Sequence, residues 1–276
     1  MKTNLSIGIP TYNQGQFLQE TIDSILSQTI LPDEIVISNN FSDDNTEEIL
    51  EQYEDNRLFK IIKPSKFIKM CSNWKELYPN VKRSYFKEKK YVNPYSFIDL
   101  LSNKLTHKDI IITDDGGHLT WTIQAFKIKK GQRLFSAFGN SPMGYALPAS
   151  IGASIAKKKQ RIICIDGDGS LLMHLGSLLT NTRLQNKNFK HILLNNFSHQ
   201  SVGGQKTFIE NINLKGLVKS LGYKKFFSIQ NIKKIDVTIS NFLKCKGSVF
   251  LEVKINPLTL KNLIRPKNLK LIKKQF

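Results

Sequence analysis

Short apolar runs alternate with longer amphipathic stretches along most of the chain. In the first part, apolar runs at 5–9, 34–38 and 58–62 predict strands, and stretches at 17–26 and 46–53 predict the helices between them. Strands that alternate with helices are typical of a parallel sheet. The pattern therefore predicts a β-α-β-α-β half sheet at the start of the chain.

The remainder of the chain repeats this alternation on a larger scale. Apolar runs predict strands at 110–113, 134–137, 162–165, 192–194 and 248–253. Apolar residues at helical spacing predict helices that start near 92, follow 144, end at 222 and run over 232–243. The predicted fold class is α/β, with a parallel-sheet, Rossmann-like domain in this larger part.

Polar residues and glycines follow two of these strands. The sequence DGDG follows the strand at 162–165, and NN follows the strand at 192–194. Because the carboxyl ends of parallel strands share one edge, these groups are expected to lie close together. Asp168 offers a charged oxygen and Asn196 a neutral one, which are ligands that Mg²⁺ accepts beside the oxygens of a diphosphate. The alternative is an ordinary α/β turn without a ligand.

The net charge of the chain is large, but the charged residues are uneven in type and in their distribution along the sequence. The net charge is +19, yet of 41 basic residues only six are Arg, the side chain that best recognises phosphates and base edges. A nucleic-acid partner is therefore not expected. Residues 1–75 contain 7 basic and 11 acidic residues, whereas residues 76–276 contain 34 and 11. This contrast predicts a domain boundary.

The cysteines and the hydropathy of the chain indicate the cellular compartment of the protein. Cys71, Cys164 and Cys245 are scattered, form no cluster with metal-ligand spacing, and fit a reducing cytoplasm. No apolar run approaches the roughly 20 residues that span a bilayer. The first residues lead straight into a strand-like segment, so no signal peptide is predicted.

The motif GDG, followed after 25 residues by NN, resembles the signature of thiamine diphosphate (thiamine pyrophosphate) enzymes. The resemblance implies a domain that binds the diphosphate of this cofactor through Mg²⁺. Asp168 and Asn196 would be metal ligands, together with the backbone carbonyl of Ser198. Gly167 and Gly169 would let the diphosphate loop turn tightly, so that backbone amides face the phosphates.

The stretches YVNPYSFID, ITDDGGHLTW and GQRLFSAFGNSPMGYALPASIGA resemble the acetolactate synthase branch of this family. The resemblance implies that Gly117 and His118 contact the diphosphate. The Ser141 carbonyl would accept a hydrogen bond from the aminopyrimidine amine, and Met143 would be the apolar wedge that bends the cofactor. Without the resemblance, His118 is a polar residue at a strand end and Met143 fills the core.

The stretches LLMHLGSLLT, LLNNFSHQSVGGQKT and FLEVKINP followed by RPK resemble the phosphonopyruvate and sulfopyruvate decarboxylase branch. Ser170 would then help to hold the diphosphate, and the loop that begins at His199 would cover the thiazolium ring and substrate. A plain surface loop is the alternative. Phe197 replaces a Gly common at its position. His174 and His191 are interpreted as packed or exposed residues rather than ligands.

The stretches IPTYN, SNNFSDDNT and FIKMCSNW resemble the opening of a family 2 inverting glycosyltransferase, which implies a truncated GT-A-like half sheet. Thr11 and Tyr12 would lie near a nucleotide base. The sequence KELYP stands where the family's metal-binding Asp-x-Asp should appear, and Asn39 replaces an Asp that many relatives have. A structural remnant without sugar transfer is therefore predicted.

The predicted domains are a glycosyltransferase fragment at 1–75, a basic linker at 76–90 and a thiamine diphosphate-binding domain at 91–276. The resemblance implies a 2-oxo-acid decarboxylase or lyase whose activating Glu lies in a separate pyrimidine-binding domain. We expect that domain to come from a partner polypeptide or another subunit, and no catalytic residue is assigned in this chain. The alternative is a non-catalytic chimera made by gene fusion or sequence misassembly, since each resemblance ends where the next begins.

Overall fold

The computed structural model describes residues 5–62, 71, 73–183 and 188–257. The chain divides into two compact units, Met1–Pro79 and Asn80–Phe276. Most of the quoted FIKMCSNW motif and all of RPK lie outside the described residues. Among the described helices, none is both long enough and apolar enough to cross a bilayer.

The first unit contains the half sheet that the apolar pattern predicts. Its described strands, β1 (Ser6–Thr11), β2 (Glu34–Asn39) and β3 (Phe59–Ile62), are parallel and lie in that order. Helices α1 (Gly15–Leu26) and α2 (Thr46–Glu51) connect them. The buried core of this unit includes Leu18, Ile22, Ile35, Ile37 and Leu50.

The second unit is built on a six-stranded sheet, counted over the described residues. Its strands are β4 (Ile110–Thr113), β5 (Arg133–Phe135), β6 (Ile162–Gly167), β7 (Phe189–Asn195), β8 (Lys225–Ile229) and β9 (Val249–Lys254). The order is β5-β4-β6-β7-β9-β8, and all described pairs are parallel, which confirms the predicted fold class. Strand β8 was not among the predicted strands. It is an edge strand with partly exposed positions, so its apolar signal is weak.

Helices cover both faces of the six-stranded sheet. They are α3 (Pro94–Lys104), α4 (Gly117–Ala125), α5 (Ala146–Ala156), α6 (Asp168–Met173), α7 (Ser177–Arg183), α8 (Leu214–Ser220) and α9 (Ile235–Lys244). Short 3-10 segments occur at Arg83–Lys87, Ile209–Asn211 and Ile232–Lys234. The helix predicted at 232–243 is thus a 3-10 turn followed by α9. The start of α3 is fixed by Pro94 and by the Asn93 side chain, which accepts a hydrogen bond from the Tyr95 amide.

The core lies on both sides of the sheet. One cluster packs α3 and α9 against one face and includes Phe97, Leu101, Ile165, Phe242 and Leu251. The other packs α5 and α8 against the opposite face and includes Ile112, Leu147, Cys164, Leu193 and Phe250. Every residue of β6 and of β7 is buried. Burial of the central strands on both faces is typical of an all-parallel sheet.

The segment 76–90, predicted as a linker, is divided between the two units. Its later part packs on the second unit. The Asn80 side-chain amide donates to the Gln124 carbonyl at 3.0 Å, and the Tyr85 ring lies 5.7 Å from the Tyr95 ring.

At the edge where the strands of the second unit begin, a cavity of about 450 Å³ is rich in basic side chains. We call it the amino-edge cavity; its basic residues are Lys108, Lys159, Arg161, Lys244 and Lys246. Arg161 binds both carboxylate oxygens of Asp109, at 2.8 and 2.7 Å. Nearby, Lys190 is buried and donates to the carbonyls of Cys245 and Gly247, and this burial lowers its pKa to about 8.

Candidate functional site

The opposite edge, where β4, β6 and β7 end, contains a cavity of about 900 Å³, which we call the carboxyl-edge cavity. These strands are neighbours in the sheet, so their carboxyl ends lie side by side. Ten of the predicted site residues line it: Gly117, His118, Met143, Gly167, Asp168, Gly169, Ser170, Asn196, Ser198 and His199. Residues more than 80 positions apart in the sequence therefore share one cavity.

Ser141 is the predicted site residue that does not line the carboxyl-edge cavity. It is exposed, its backbone is left-handed with φ of 47°, and its amide donates to the Ala137 carbonyl at 2.9 Å. The role of its carbonyl stays a prediction.

The Asp168 carboxylate lies at the first position of α6, with 2% of the residue exposed. The Thr207 hydroxyl donates to its Oδ2 at 2.6 Å. Burial raises the pKa of Asp168, and the hydrogen bond from Thr207 opposes that rise. Asn196 is also buried, one residue beyond the end of β7. A buried carboxylate beside a buried amide is a donor set that suits a hard cation.

The His118 ring occupies a slot between two glycines. A Cβ atom added to Gly167 would lie 2.7 Å from its Nδ1, and one added to Gly116 would lie 2.9 Å from its Cε1. The ring is buried, and its Nε2 has no hydrogen-bond partner within the described part of the chain. Burial lowers the pKa of His118 to about 3, so the ring is neutral at pH 7. A buried neutral imidazole with an unmet hydrogen-bonding atom is suited to contact a ligand.

His199 and Met143 converge above Gly169. A Cβ atom added to this glycine would lie 2.5 Å from the His199 ring and 3.2 Å from Cε of Met143. The loop after His199 closes on itself, because the His199 amide donates to the Gln205 carbonyl at 2.8 Å and the Gly204 amide donates back at 3.0 Å. The loop predicted to cover a ligand therefore has an ordered hydrogen-bonded base.

Phe197 keeps the left-handed backbone that favours glycine, with φ of 60°. Its amide donates to the Asn195 side chain at 3.1 Å, and its side chain packs against the core. The replacement of Gly by Phe thus leaves the loop in a conformation that costs about 1–2 kcal/mol for a residue with a Cβ.

Sequence reasoning missed several residues of this site. The fully buried Asp114 accepts the amides of Gly144 and Ala146, each at 3.0 Å, and so fixes the loop that carries Met143. Burial and, next, the charge of Asp166 raise the pKa of Asp114 to about 6. A further wall of the carboxyl-edge cavity is formed by Tyr95, Thr120, Trp121 and Gln124. Thr120, Trp121 and Gln124 are spaced at i, i+1 and i+4 on α4, and this helical spacing was the sequence signal that they lie on one side of the helix.

The two residues of the first unit that were predicted to lie near a nucleotide base differ in solvent exposure. Thr11 is buried and Tyr12 is 56% exposed. In the turn after β2, the Asn39 side chain donates to Glu47 at 2.8 Å and accepts from the Ser42 hydroxyl at 2.7 Å. The polar groups of this turn are therefore engaged with one another.

Two families match the chain. Residues 114–253, about half of the chain, match the family described as "Thiamine pyrophosphate enzyme, C-terminal TPP binding domain". Residues 6–74 match "Glycosyl transferase family 2". Both predicted resemblances are confirmed.

Curated relatives from two branches of the family match parts of the chain. Acetolactate synthase isozyme 1 large subunit of Escherichia coli (strain K12) is 35% identical over 102 residues, 37% of this chain and 18% of that protein. The mitochondrial acetolactate synthase catalytic subunit of Saccharomyces cerevisiae is 28% identical over 215 residues, 72% of this chain and 31% of that protein. Phosphonopyruvate decarboxylase of Streptomyces hygroscopicus is 32% identical over 120 residues, 43% of this chain and 30% of that protein. The chain thus spans less than a third of each of these relatives.

Proposed function

Because this chain belongs to the thiamine pyrophosphate enzymes through their C-terminal TPP binding domain, we propose that it binds thiamine diphosphate and Mg²⁺ as part of a 2-oxo-acid decarboxylase or carboligase. The observation that carries the proposal is the meeting of Asp168, Asn196 and His118 in one cavity at the carboxyl edge of the sheet. That edge is where open parallel sheets bind ligands.

The residues present fit the cofactor. The unmet Nε2 of His118 matches a group that forms hydrogen bonds, and Gly167 and Gly169 leave room for the His118, His199 and Met143 side chains that line the cavity. Asp168 and Asn196, with the carbonyl of Ser198, would hold Mg²⁺. Gly117, His118 and Ser170 would hold the diphosphate, and Met143 and His199 would contact the rings, with Ser141 assigned to the aminopyrimidine.

When bound, thiamine diphosphate supplies the electron sink for decarboxylation or ligation of a 2-oxo acid. The residues of this chain bind and orient that group. Asp168 brings the charge that a divalent cation needs, and Thr207 fixes the direction of its carboxylate. Asp114 holds the Met143 loop in place through the Gly144 amide. The loop from His199 to Gln205 would exclude water from the reacting atoms.

We further propose that a partner polypeptide or another subunit supplies the pyrimidine-binding domain with its activating Glu. Neither matched family region, 6–74 or 114–253, corresponds to such a domain. The protein purified by itself is therefore expected to release no CO₂ from pyruvate, phosphonopyruvate or sulfopyruvate. Turnover without a partner would contradict this part of the proposal, and a neighbouring reading frame for a pyrimidine domain would support it.

The test of cofactor binding is isothermal titration calorimetry with thiamine diphosphate and Mg²⁺. We expect Asp168→Asn to weaken binding by about 100-fold or more, since it removes the charged metal ligand while keeping the size of the side chain. Asp236→Asn is the matched control, because Asp236 is exposed on α9 and pairs only with Lys104 among the described ion pairs. Equal affinities of the two variants would refute the metal assignment.

For the first unit we propose a structural remnant without sugar transfer, supported by the internal hydrogen bonds of Asn39 with Glu47 and Ser42. The second candidate for the whole chain is a non-catalytic chimera, favoured by matches to two different families, at residues 6–74 and 114–253 of one chain. Long-read sequencing of the source DNA distinguishes a cofactor-binding subunit from a misassembled chimera. Reads that continue into a complete glycosyltransferase after Trp74 would expose an artefact.

A reducing, cytoplasmic location completes the proposal, supported by three free cysteines.

A further inference from the structure

A buried group of metal-ligating side chains lies in the body of the six-stranded sheet. Cys164 on β6 is in register with His191 on β7, and the alternation along a strand places Asp166 on the same face as Cys164. All three residues are fully buried, and one ligand atom of each lies within 4.8 Å of the others. Cys164 belongs to the core cluster that packs α5 and α8 against the sheet, and none of the three residues lines the carboxyl-edge cavity.

The hydrogen bonds of this group are incomplete. Asp166 Oδ1 is buried and has no partner among the described residues. Asp166 Oδ2 lies 3.4 Å from His191 Nε2, which exceeds the usual range of about 2.7–3.2 Å for a hydrogen bond. In contrast, two ligand atoms bound about 2.0–2.1 Å from a tetrahedral zinc ion lie about 3.4 Å apart. The separation is thus long for a hydrogen bond, and it matches the spacing of two ligand atoms that share a cation.

The surroundings of His191 support ligation through Nε2. Its Nδ1 lies 2.8 Å from the Tyr223 hydroxyl, and its ring lies 4.6 Å from the Phe250 ring in an edge arrangement. An N–H at Nδ1 that donates to Tyr223 leaves the lone pair of Nε2 directed at Asp166. A partner on the second ring nitrogen is the usual support of a metal-bound histidine.

Charge favours a divalent ion. Binding of one divalent cation would displace the protons of the Cys164 thiol and the Asp166 carboxyl, and it would balance the two negative charges that this leaves in an apolar interior. The donor set of sulfur, nitrogen and carboxylate oxygen suits Zn²⁺, whereas Mg²⁺ prefers oxygen alone. Coordination through both carboxylate oxygens would use the unmet Oδ1 and complete four donor atoms.

We propose that Cys164, Asp166 and His191 form a structural Zn²⁺ site that joins β6 to β7 beneath the carboxyl-edge cavity. The site uses none of the proposed Mg²⁺ ligands, of which Asp168 lies two residues beyond Asp166. Because its ligands are buried, the ion enters as the protein folds, and its binding energy contributes to folding.

The test is the zinc content of the full chain, expressed with added zinc, washed with EDTA and measured by mass spectrometry. We expect close to one zinc per chain, and a content below about 0.2 per chain would overturn the proposal. Cys164→Ala is expected to lose the ion. The matched control Cys245→Ala keeps all three ligands, and Asp168→Asn tests independence from the cofactor site; both are expected to retain zinc.

Cobalt substitution covers the case in which Cys164→Ala fails to fold. Refolding with Co²⁺ is expected to give the absorption of a tetrahedral ion with a thiolate-to-metal charge-transfer band, in wild type and in Cys245→Ala. Tyr223→Phe keeps the ligands and is expected to weaken cobalt binding by about 10–100-fold through loss of the partner of His191. Absence of the charge-transfer band in folded wild type, or its loss in Cys245→Ala, would refute the site.

Discussion

The slot that holds the His118 ring makes Gly167→Ala a sharp test of the site's packing. Gly167 has an extended backbone, with φ of −103° and ψ of 158°, which any residue adopts. The effect of the substitution must therefore come from contact and not from backbone strain. The new Cβ would lie 2.7 Å from His118 Nδ1, whereas ordinary contacts begin at 3.4 Å. The ring or the strand must shift by roughly 0.7 Å, a typical case of overpacking.

The size of the effect follows from two opposing terms. Overpacking a buried site costs about 1–3 kcal/mol. Replacing Gly by Ala restricts the unfolded chain and returns about 0.4–1 kcal/mol. We expect a net loss of about 1–2 kcal/mol in the free energy of unfolding, and a fall in Tm of roughly 2–8 °C for a unit of this size. If His118 contacts the diphosphate, displacement of its ring would also weaken cofactor binding, and a loss of about 1.4 kcal/mol in binding free energy corresponds to about tenfold.

Chemical denaturation of Gly167→Ala, of a control variant and of a double-mutant cycle with His118→Ala isolates the contact. Gly152→Ala on α5 is the control, since an added Cβ there meets nothing within 4 Å, and Ala in a helix is expected to stabilise by about 0.5–1 kcal/mol. In a His118→Ala background, Gly167→Ala is expected to cost at least 1 kcal/mol less than in wild type, roughly the coupling of directly contacting residues. An unchanged cost in that background would refute the slot.

Three further outcomes are expected. Thr207→Val keeps the side chain's shape but removes its bond to Asp168, so calorimetry should show Mg²⁺-dependent cofactor binding weakened by about 10–100-fold; unchanged affinity would exclude the positioning role. Because the folded pKa of Lys190 is lowered to about 8 from 10.5, the unfolded chain binds more protons between these values, and wild type should gain roughly 1–2 kcal/mol over Lys190→Met as pH rises from 8 to 10.5; a constant difference would contradict this. Arg161→Lys loses the bidentate contact with Asp109 and should cost about 1–2 kcal/mol in urea denaturation, where an unshifted midpoint would show that the pair contributes nothing.

The sequence predicted the parts of the site that are local to a strand and its following turn. Gly167 and Asp168 lie within one such turn, and Asn196 lies in another, so apolar runs and turn residues were sufficient to place them. The α/β class followed from the same alternation. The edge strand β8 was not predicted because its sequence, KFFSI, is short and half exposed and therefore has little periodic signal.

Residues whose roles depend on distant partners could not be found in this way. Thr207 reaches Asp168 across 39 positions, and Asp114 reaches Gly144 across 30. The cysteine spacing gave no metal prediction for Cys164, because strand register and not sequence spacing brings it to His191. Such contacts become visible only when the order β4-β6-β7 is known.

The two cavities at opposite edges of the sheet also divide its charge. Lys108, Lys159 and Lys244 line the amino-edge cavity, whereas Asp115 and Asp168 line the carboxyl-edge cavity. Among the described residues, the lining of the two cavities therefore changes from mostly basic to acidic along the strand direction. We expect a polyanionic matrix such as heparin to attract this unit by its amino edge. Protein held in this way would present the opposite edge to the solution, so an immobilised sample would expose the proposed cofactor site for the measurement.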